Sequence, residues 1–303
     1  MNRRNFIQKS LTSAALLSVN AFPLSAVESG DLQQLTILHT NDWHSRIDPF
    51  PMDGGRDQGL GGIAQRAKMI QKVRAEVKEV LLLDSGDIFQ GTPYFNLYYG
   101  EPEMKLMSAL NYDAATIGNH DFDGGMDGLY KVLPHANFPL ISSNYDFSDT
   151  ILHSSVLKYK TFQKGKIKVG VFGIGIELEG LVAKDLYKQT KYLEPVSIAN
   201  RTATFLKKEE QCDLVICLSH LGYNYDDGIC DVRLAKLTKD IDLILGGHSH
   251  TYMKEPDRRK NSEGEEVLIN QTGWGGMHLG RIDVFFEKKR NRIFGKGSND
   301  RIE

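Results

Sequence analysis

The sequence predicts an α/β protein whose strands form sheets covered on both faces. Short runs such as residues 80–83 and 214–218 are apolar throughout, which is typical of strands buried on both sides. Residues 62–78 lie between two such runs and carry apolar side chains at steps of three and four, which predicts an amphipathic helix. With 303 residues, of which 41% are hydrophobic and 25% charged, the chain can bury one large core or two modest ones.

Strand-like and helix-like segments alternate along the chain. The predicted strands cover residues 35–39, 80–83, 112–117, 138–144, 167–174, 213–218 and 241–245. The predicted helices cover residues 62–78, 104–110 and 198–210. Residues 54–62 are rich in glycine and polar, so we expect a loop there. Residues 177–195 show no pattern to which we assign chemistry.

Polar side chains with metal-binding groups follow several of the predicted strands. They occur in Asp42-Trp43-His44, Gly86-Asp87, Gly118-Asn119-His120-Asp121-Phe122-Asp123, His220 and Gly247-His248-Ser249-His250. Ligands in open α/β sheets bind beyond the carboxyl ends of strands, and residues two apart on an extended segment point the same way. An isolated Asp-x-His is commonly a surface pair, and a single histidine such as His220 is equally compatible with a structural role. Asp84 is expected to hydrogen-bond its own loop.

The strand ends together offer seven nitrogen and oxygen donors and no thiolate: Asp42, His44, Asp87, Asn119, His220, His248 and His250. That number is too large for one tetrahedral zinc and suits two adjacent cations that share a carboxylate. Two divalent ions about 3.5–4 Å apart can hold a bridging hydroxide and stabilise the entering and leaving oxygens of a phosphoryl transfer. His120 would then face the leaving group, with Asp123 orienting it. Manganese, zinc, iron and cobalt all suit this donor set.

The same motifs, in this order, resemble those of the calcineurin-like metallophosphoesterases. His39-Thr40-Asn41-Asp42, residues 84–92, residues 118–123 and residues 273–281 are similar, more narrowly, to the catalytic domain of the 5′-nucleotidase family. The resemblance covers residues 35–287. It implies a four-layer α/β/β/α sandwich with two mixed β-sheets.

The resemblance also implies a role for each donor. Asp42, His44 and His250 would hold the first metal, and Asp87 would bridge. Asn119, His220 and His248 would hold the second metal, while His120 and Asp123 would form the catalytic dyad. Some nucleotidases carry glutamine where this chain has His250.

The predicted function is hydrolysis of nucleotide phosphate monoesters by an exported enzyme with two metal ions. Full-length 5′-nucleotidases continue into a second domain that clamps the nucleobase, and this chain stops where that domain would begin. We therefore expect either a separate polypeptide that supplies the clamp or a simpler phosphate ester as substrate. The alternatives are a nucleotide-sugar or cyclic-nucleotide phosphodiesterase, a thiosulfohydrolase-like sulfur-ester hydrolase, and a degenerate metal-binding scaffold. The complete His120–Asp123 pair argues against the scaffold.

The N-terminus resembles a twin-arginine export signal. Arg3 and Arg4 precede a mildly apolar run over residues 11–26, which Asn20 and Pro23 interrupt and which is too short to span a membrane. We expect cleavage after residues 24–26, export to the periplasm or beyond, and no stable membrane anchor afterwards. The predicted segments are a signal over residues 1–26, a short mature segment over 27–34, the enzyme domain over 35–287 and a polar C-terminal tail over 288–303.

The charge balance and the remaining cysteines and histidines point to no further chemistry. Removal of residues 1–26 would leave 34 basic and 39 acidic residues, which argues against general nucleic-acid binding. Cys217 lies in an apolar run and is expected to be buried. A disulfide between Cys212 and Cys230 is conceivable in an oxidising compartment but is not favoured. The histidines outside the motifs, which are His39, His135, His153 and His278, are expected in core or surface roles.

Overall fold

The computed structural model describes residues 33–286 and 292–303. The predicted signal and most of the short segment that follows it lie outside the described residues. Within the described residues, no helix is both long and apolar enough to cross a membrane.

Fifteen strands run through the part of the chain that the structure describes. They are β1 (Gln33–Thr40), β2 (Val80–Asp84), β3 (Ala114–Ala115), β4 (Leu140–Ile141), β5 (Tyr145–Asp146), β6 (Val156–Leu157), β7 (Tyr159–Lys164), β8 (Ile167–Gly175), β9 (Lys191–Tyr192), β10 (Leu214–His220), β11 (Leu243–Gly246), β12 (Asp257–Lys260), β13 (Glu266–Asn270), β14 (His278–Phe286) and β15 (Arg292–Arg301). Seven of them form one sheet in the order β15-β14-β1-β2-β3-β4-β6. Six form a second sheet in the order β12-β13-β11-β10-β8-β7, and β5 pairs with β9.

Helices flank the two sheets on their outer faces. The α-helices of the described chain are α1 (Ile63–Glu76), α2 (Pro93–Tyr98), α3 (Glu101–Ala109), α4 (Gly125–Val132), α5 (Lys184–Tyr187), α6 (Pro195–Lys208) and α7 (Asp231–Leu237). Helices α1, α3 and α4 pack on the first sheet, and α6 and α7 pack on the second. The facing sides of the two sheets share a core of aliphatic side chains. The predicted α/β sandwich with two mixed sheets is confirmed.

Both sheets contain a run of parallel strands; the first sheet has antiparallel strands at one edge and the second at both edges. In the first sheet, β1, β2, β3, β4 and β6 are parallel neighbours, while β14 and β15 are antiparallel. In the second, β8, β10, β11 and β13 are parallel, and β7 and β12 are antiparallel edge strands. Because parallel strands end at the same edge of a sheet, the loops after β1, β2, β3, β10 and β11 can meet there.

The predicted polar tail is wrong for most of its length. Residues Arg292–Arg301 form β15, which pairs with β14 from His278↔Arg301 to Phe286↔Arg292. Phe294 and Ile302 are buried, while the charged residues between them lie on an edge strand. Charged side chains are common on edge strands because they discourage pairing with other chains, so a high charge content does not exclude a strand.

The predicted strands at 112–117 and 138–144 are much shorter in the structure. Ladder pairing is limited to Ala114–Ala115 and Leu140–Ile141, although the flanking residues are buried. Buried apolar side chains produce the same pattern in a strand and in the extended loop that follows it. The three cysteines are all free and buried, so Cys212 and Cys230 form no disulfide in this structure.

Candidate metal centre and active site

Five of the seven predicted donors have a backbone conformation that residues other than glycine rarely adopt. Their φ angles are positive, in the left-handed region: Asp42 (49°), His44 (53°), Asp87 (54°), His248 (71°) and His250 (52°). Each follows a parallel strand of one of the two sheets, at the point where the chain turns away from the strand. Such conformations concentrate at functional sites, because the surrounding structure has to hold them in place.

The first donor group consists of Asp42, His44 and His250, whose ligand atoms lie within 4.8 Å of one another. The two imidazole Nε2 atoms are 2.9 Å apart, and His250 Nε2 is 3.4 Å from Asp42 Oδ1. Asp42 also accepts a hydrogen bond from the backbone N–H of His248 at 3.0 Å, which links it to the second donor group. Asp42 is fully buried, whereas His250 is exposed to solvent.

The second donor group consists of Asp87, His220 and His248, again within 4.8 Å of one another. His220 Nε2 is 3.0 Å from Asp87 Oδ2. Asn119 joins this group, because its Oδ1 lies 2.8 Å from His248 Nδ1. Asp87 Oδ2 is also 3.9 Å from His44 Nε2 of the first group, so this carboxylate lies between the two groups.

The chemistry of the second group fits a cation. His220 Nδ1 lies 2.6 Å from the carbonyl oxygen of Ser85, so Nδ1 carries a proton and Nε2 is left to face Asp87. Burial opposes a charge on His220, yet the Asp87 carboxylate raises the pKa of this histidine to about 10. The site thus attracts positive charge, which protons or divalent ions could supply.

His120 and Asp123 lie at the rim of this site. His120 Nδ1 is 2.8 Å from Asp123 Oδ2, and this hydrogen bond is the main reason that the pKa of His120 is raised. The His120 backbone N–H donates to Asp87 Oδ1 at 2.8 Å, and its ring is 5.3 Å from that of His44. The pair is partly exposed, so a molecule at the donor groups could reach the imidazole.

Asp121 is a site residue to which the sequence analysis assigned no role. Its two buried carboxylate oxygens accept hydrogen bonds from four backbone N–H groups, those of Asp87, Ile88, Phe89 and Gly118, at 2.8–3.2 Å. The carboxylate therefore fixes the turn that presents Asp87. The only signal in the sequence was for the contact with Gly118, three residues earlier, since aspartate in turns commonly accepts nearby backbone N–H groups.

Asn41 and Gln271 tie the donor loops to the segment after β13. Asn41 Oδ1 accepts the N–H of Thr272 at 2.8 Å, and its Nδ2 donates to the Gly273 carbonyl oxygen at 2.7 Å. Gln271 Nε2 donates to the Gly247 carbonyl oxygen at 2.8 Å. These amides were not predicted from the sequence, because their partners are 231–232 and 24 positions away.

The structure brings all nine predicted site residues to one edge of the two sheets. Asp84 instead hydrogen-bonds Thr40 and the N–H of Gly86, as expected for a loop-stabilising residue. His39 is fully buried and accepts a hydrogen bond from Asn270, and burial lowers its pKa to about 3. A neutral core histidine agrees with its expected role.

Comparison with known proteins identifies relatives over most of the chain. The sequence model of the calcineurin-like phosphoesterase family matches residues 35–252. Snake venom 5′-nucleotidase from Crotalus adamanteus is 33% identical over 288 residues, which are 88% of this chain and 47% of the venom protein. This chain thus spans about half the length of that relative.

Two solved structures have the same fold. The 5′-nucleotidase precursor from Thermus thermophilus superposes with a TM-score of 0.82 at 31% identity, over 89% of this chain and 55% of the other. The calcineurin-like phosphoesterase YfkN from Bacillus subtilis gives a TM-score of 0.72 at 27% identity. There the match covers 89% of this chain and 91% of the other, so the solved YfkN chain has a similar extent.

Asp121→Asn tests whether this carboxylate holds the Asp87 turn. Asparagine keeps the shape but replaces one acceptor oxygen by an N–H₂ group that faces backbone donors. We expect the free energy of unfolding to fall by about 1–3 kcal/mol, the cost of leaving buried polar groups unsatisfied. Urea unfolding of the purified variant measures the change.

Asp127→Asn is the matched control, because Asp127 is exposed and pairs with Lys188 on the surface. That change should stay within about 1 kcal/mol of zero. Equal stabilities for the two variants would show that Asp121 does not hold the turn.

Proposed function

The chain belongs to the calcineurin-like phosphoesterase family, and we propose that it hydrolyses phosphate monoesters of nucleotides with the help of two divalent metal ions. One observation carries the proposal: two groups of metal-binding side chains meet at Asp87, and a histidine with a raised pKa stands beside them. The similarity to 5′-nucleotidases at 31–33% identity supports nucleotides as the substrate class.

The donor set suggests which side chains would hold each ion. Asp42, His44 and His250 would hold one, and Asn119, His220 and His248 would hold the other. Asp87 lies between the groups and would contribute to both. When bound, two divalent ions polarise phosphoryl oxygens and make water a better nucleophile at neutral pH. The mixture of imidazole, carboxylate and amide donors suits manganese, zinc, iron or cobalt.

The role proposed for His120 is that of general acid. Asp123 holds Nδ1, which leaves Nε2 to carry the proton that passes to the leaving oxygen as the P–O bond breaks. The raised pKa keeps this imidazole protonated at higher pH than a free histidine. The hydrogen bond from the His120 N–H to Asp87 keeps the acid in a fixed place relative to the donor groups.

We also propose that the chain is exported by the twin-arginine route. The support is the sequence alone, namely Arg3 and Arg4 ahead of a short, mildly apolar run. A route that carries folded proteins is compatible with loading of the metal before export.

The substrate class can be tested with the purified protein after removal of metal and addition of Mn²⁺ or Zn²⁺. We expect kcat/KM for phosphate release from AMP to exceed that for bis(p-nitrophenyl) phosphate by at least about tenfold. Metal analysis should give two ions per chain. In Asp87→Asn both the metal content and the activity should fall, because this carboxylate lies between the donor groups.

Two results would contradict the proposal. A preference for the diester would show that monoester hydrolysis is the wrong assignment. Two tightly bound ions in Asp87→Asn would remove the shared role of this carboxylate.

The role of His120 can be tested through the leaving group. His120→Ala should lower kcat for AMP by about 10²–10⁴-fold, the range for a general acid, with the metal content unchanged. The loss should be much smaller for p-nitrophenyl phosphate, because p-nitrophenolate leaves without a proton. Equal losses for both esters would assign His120 to substrate binding instead.

Export can be tested with residues 1–26 fused to a fluorescent protein in a bacterium that has the twin-arginine route. We expect cleaved reporter in the periplasm, and reporter retained in the cytosol when Arg3 and Arg4 are both changed to lysine. Export of the lysine variant at the original level would contradict this route. Retention of both fusions would contradict export.

A further inference from the structure

A pocket of about 620 Å³ opens directly beside the first donor group. His250 belongs both to the donor group and to the pocket wall. The pocket wall also contains Trp274, Tyr252, His278, Arg56 and Arg301. Its volume falls within the range of pockets that bind small organic molecules.

The pocket wall next to the first donor group is formed by Trp274, whose ring contacts other rings. The Trp274 ring is stacked on His250 at 5.5 Å and 7° between planes, and Phe50 contacts it edge-on at 5.5 Å. The backbone around Trp274 is fixed as well, because the Gly275 N–H donates to the Asp42 carbonyl oxygen at 2.7 Å. The position of the indole is thus determined by the same segment that presents Asp42.

A second pair of flat rings lies farther along the pocket. The rings of Tyr252 and His278 are 4.3 Å apart and tilted by 32°. Tyr252 is 51% exposed, so one side of its ring is open to a ligand. Its backbone pairs with Thr272, so the ring does not sit on a free loop. Burial lowers the pKa of His278, which favours its neutral form.

The charged residues of the pocket complement the rings. Arg56 and Arg301 contribute planar guanidinium groups, and Asp57 contributes one carboxylate. Guanidinium planes stack on nucleobases as aromatic side chains do. An exposed tyrosine, an ordered tryptophan and two arginines around one cavity are the side chains that bind planar, electron-rich rings.

We propose that this pocket binds the planar aromatic part of the leaving group, which in a nucleotide is the base. The inference rests on the proposed function, since the two donor groups, which include His250, would hold the phosphoryl group next to the pocket. Tyr252 is then a residue that determines specificity, and the chain itself discriminates nucleotides from aliphatic phosphate esters.

The kinetic test compares AMP with glycerol 1-phosphate, which has no ring. In Tyr252→Leu the ratio of kcat/KM for AMP to that for glycerol phosphate should fall about tenfold, mainly through KM for AMP, because one stacking partner is lost. Tyr252→Phe keeps the ring and should restore most of the ratio. Tyr130→Leu is the matched control, since Tyr130 is also about half exposed but lies on α4, away from this pocket.

A binding test needs neither metal nor catalysis. The chain has two tryptophans, of which Trp43 is fully buried and Trp274 lines the pocket. Adenosine, which carries no phosphate, should quench the Trp274 emission. Its dissociation constant should rise about tenfold in Tyr252→Leu and stay unchanged in Tyr130→Leu.

The outcomes separate the two proposals. Hydrolysis of AMP with the same ester ratio in the wild type and Tyr252→Leu, together with equal adenosine affinities, would overturn the pocket and leave the proposed function standing. Loss of hydrolysis for every ester would overturn the proposed function, and the adenosine titration would still decide the pocket. Absence of any quenching by adenosine would also overturn the pocket.

Discussion

The candidate site depends on left-handed backbone conformations that the surrounding structure has to hold in place. Five donor residues sit in the left-handed region, where a residue with a side chain costs about 1–2 kcal/mol relative to the ordinary helical region. Aspartate and histidine adopt this region more readily than most residues, yet five of them in one site still need support from their surroundings. The surrounding structure holds them, and the segment around Trp43 shows how: its ring is fully buried under the Arg66 guanidinium, between donors Asp42 and His44. The Trp43 side chain thus lies in the core, while its sequence neighbours Asp42 and His44 belong to the first donor group.

The two sheets are locked together where they present the donors. Ser85, after β2, accepts a hydrogen bond from His220 of β10 and donates its hydroxyl to the carbonyl oxygen of Leu245 in β11. The contact is so close that a Cβ atom on Gly247 would lie 2.8 Å from His220 Nδ1. A Cβ on Gly118 would likewise overlap the Asp87 carboxylate. Glycine at these positions allows carboxylates and imidazoles from different sheets to approach one another, and this proximity makes a two-metal site feasible.

The sequence predicts the fold class well and selects the candidate site residues, because apolar runs indicate buried strands and imidazoles and carboxylates at strand ends indicate a metal site. Apolar strands followed by imidazoles, carboxylates and an amide are sufficient to predict the α/β class and to select nine candidate site residues, whose roles stay predictions. The supporting shell is harder to predict, because Asp121, Asn41 and Gln271 are polar residues whose roles depend on partners that only the fold brings near. The strand β15 was missed for a related reason, since it contains two apolar residues, Ile293 and Phe294, and four charged ones.

The candidate metal ligands contact the wall of the pocket through Trp274 at one end, and the other end is formed around Tyr252. Trp274 stacks on His250 and contacts His44 edge-on, so a change of this indole would move two candidate metal ligands together with the pocket wall. Tyr252 packs instead on His278, which belongs to neither donor group. We therefore expect a side-chain change at Tyr252 to disturb the candidate ligands less than a change at Trp274. Variation in the leaving group that such a site accepts should thus arise from residues around Tyr252 rather than around Trp274.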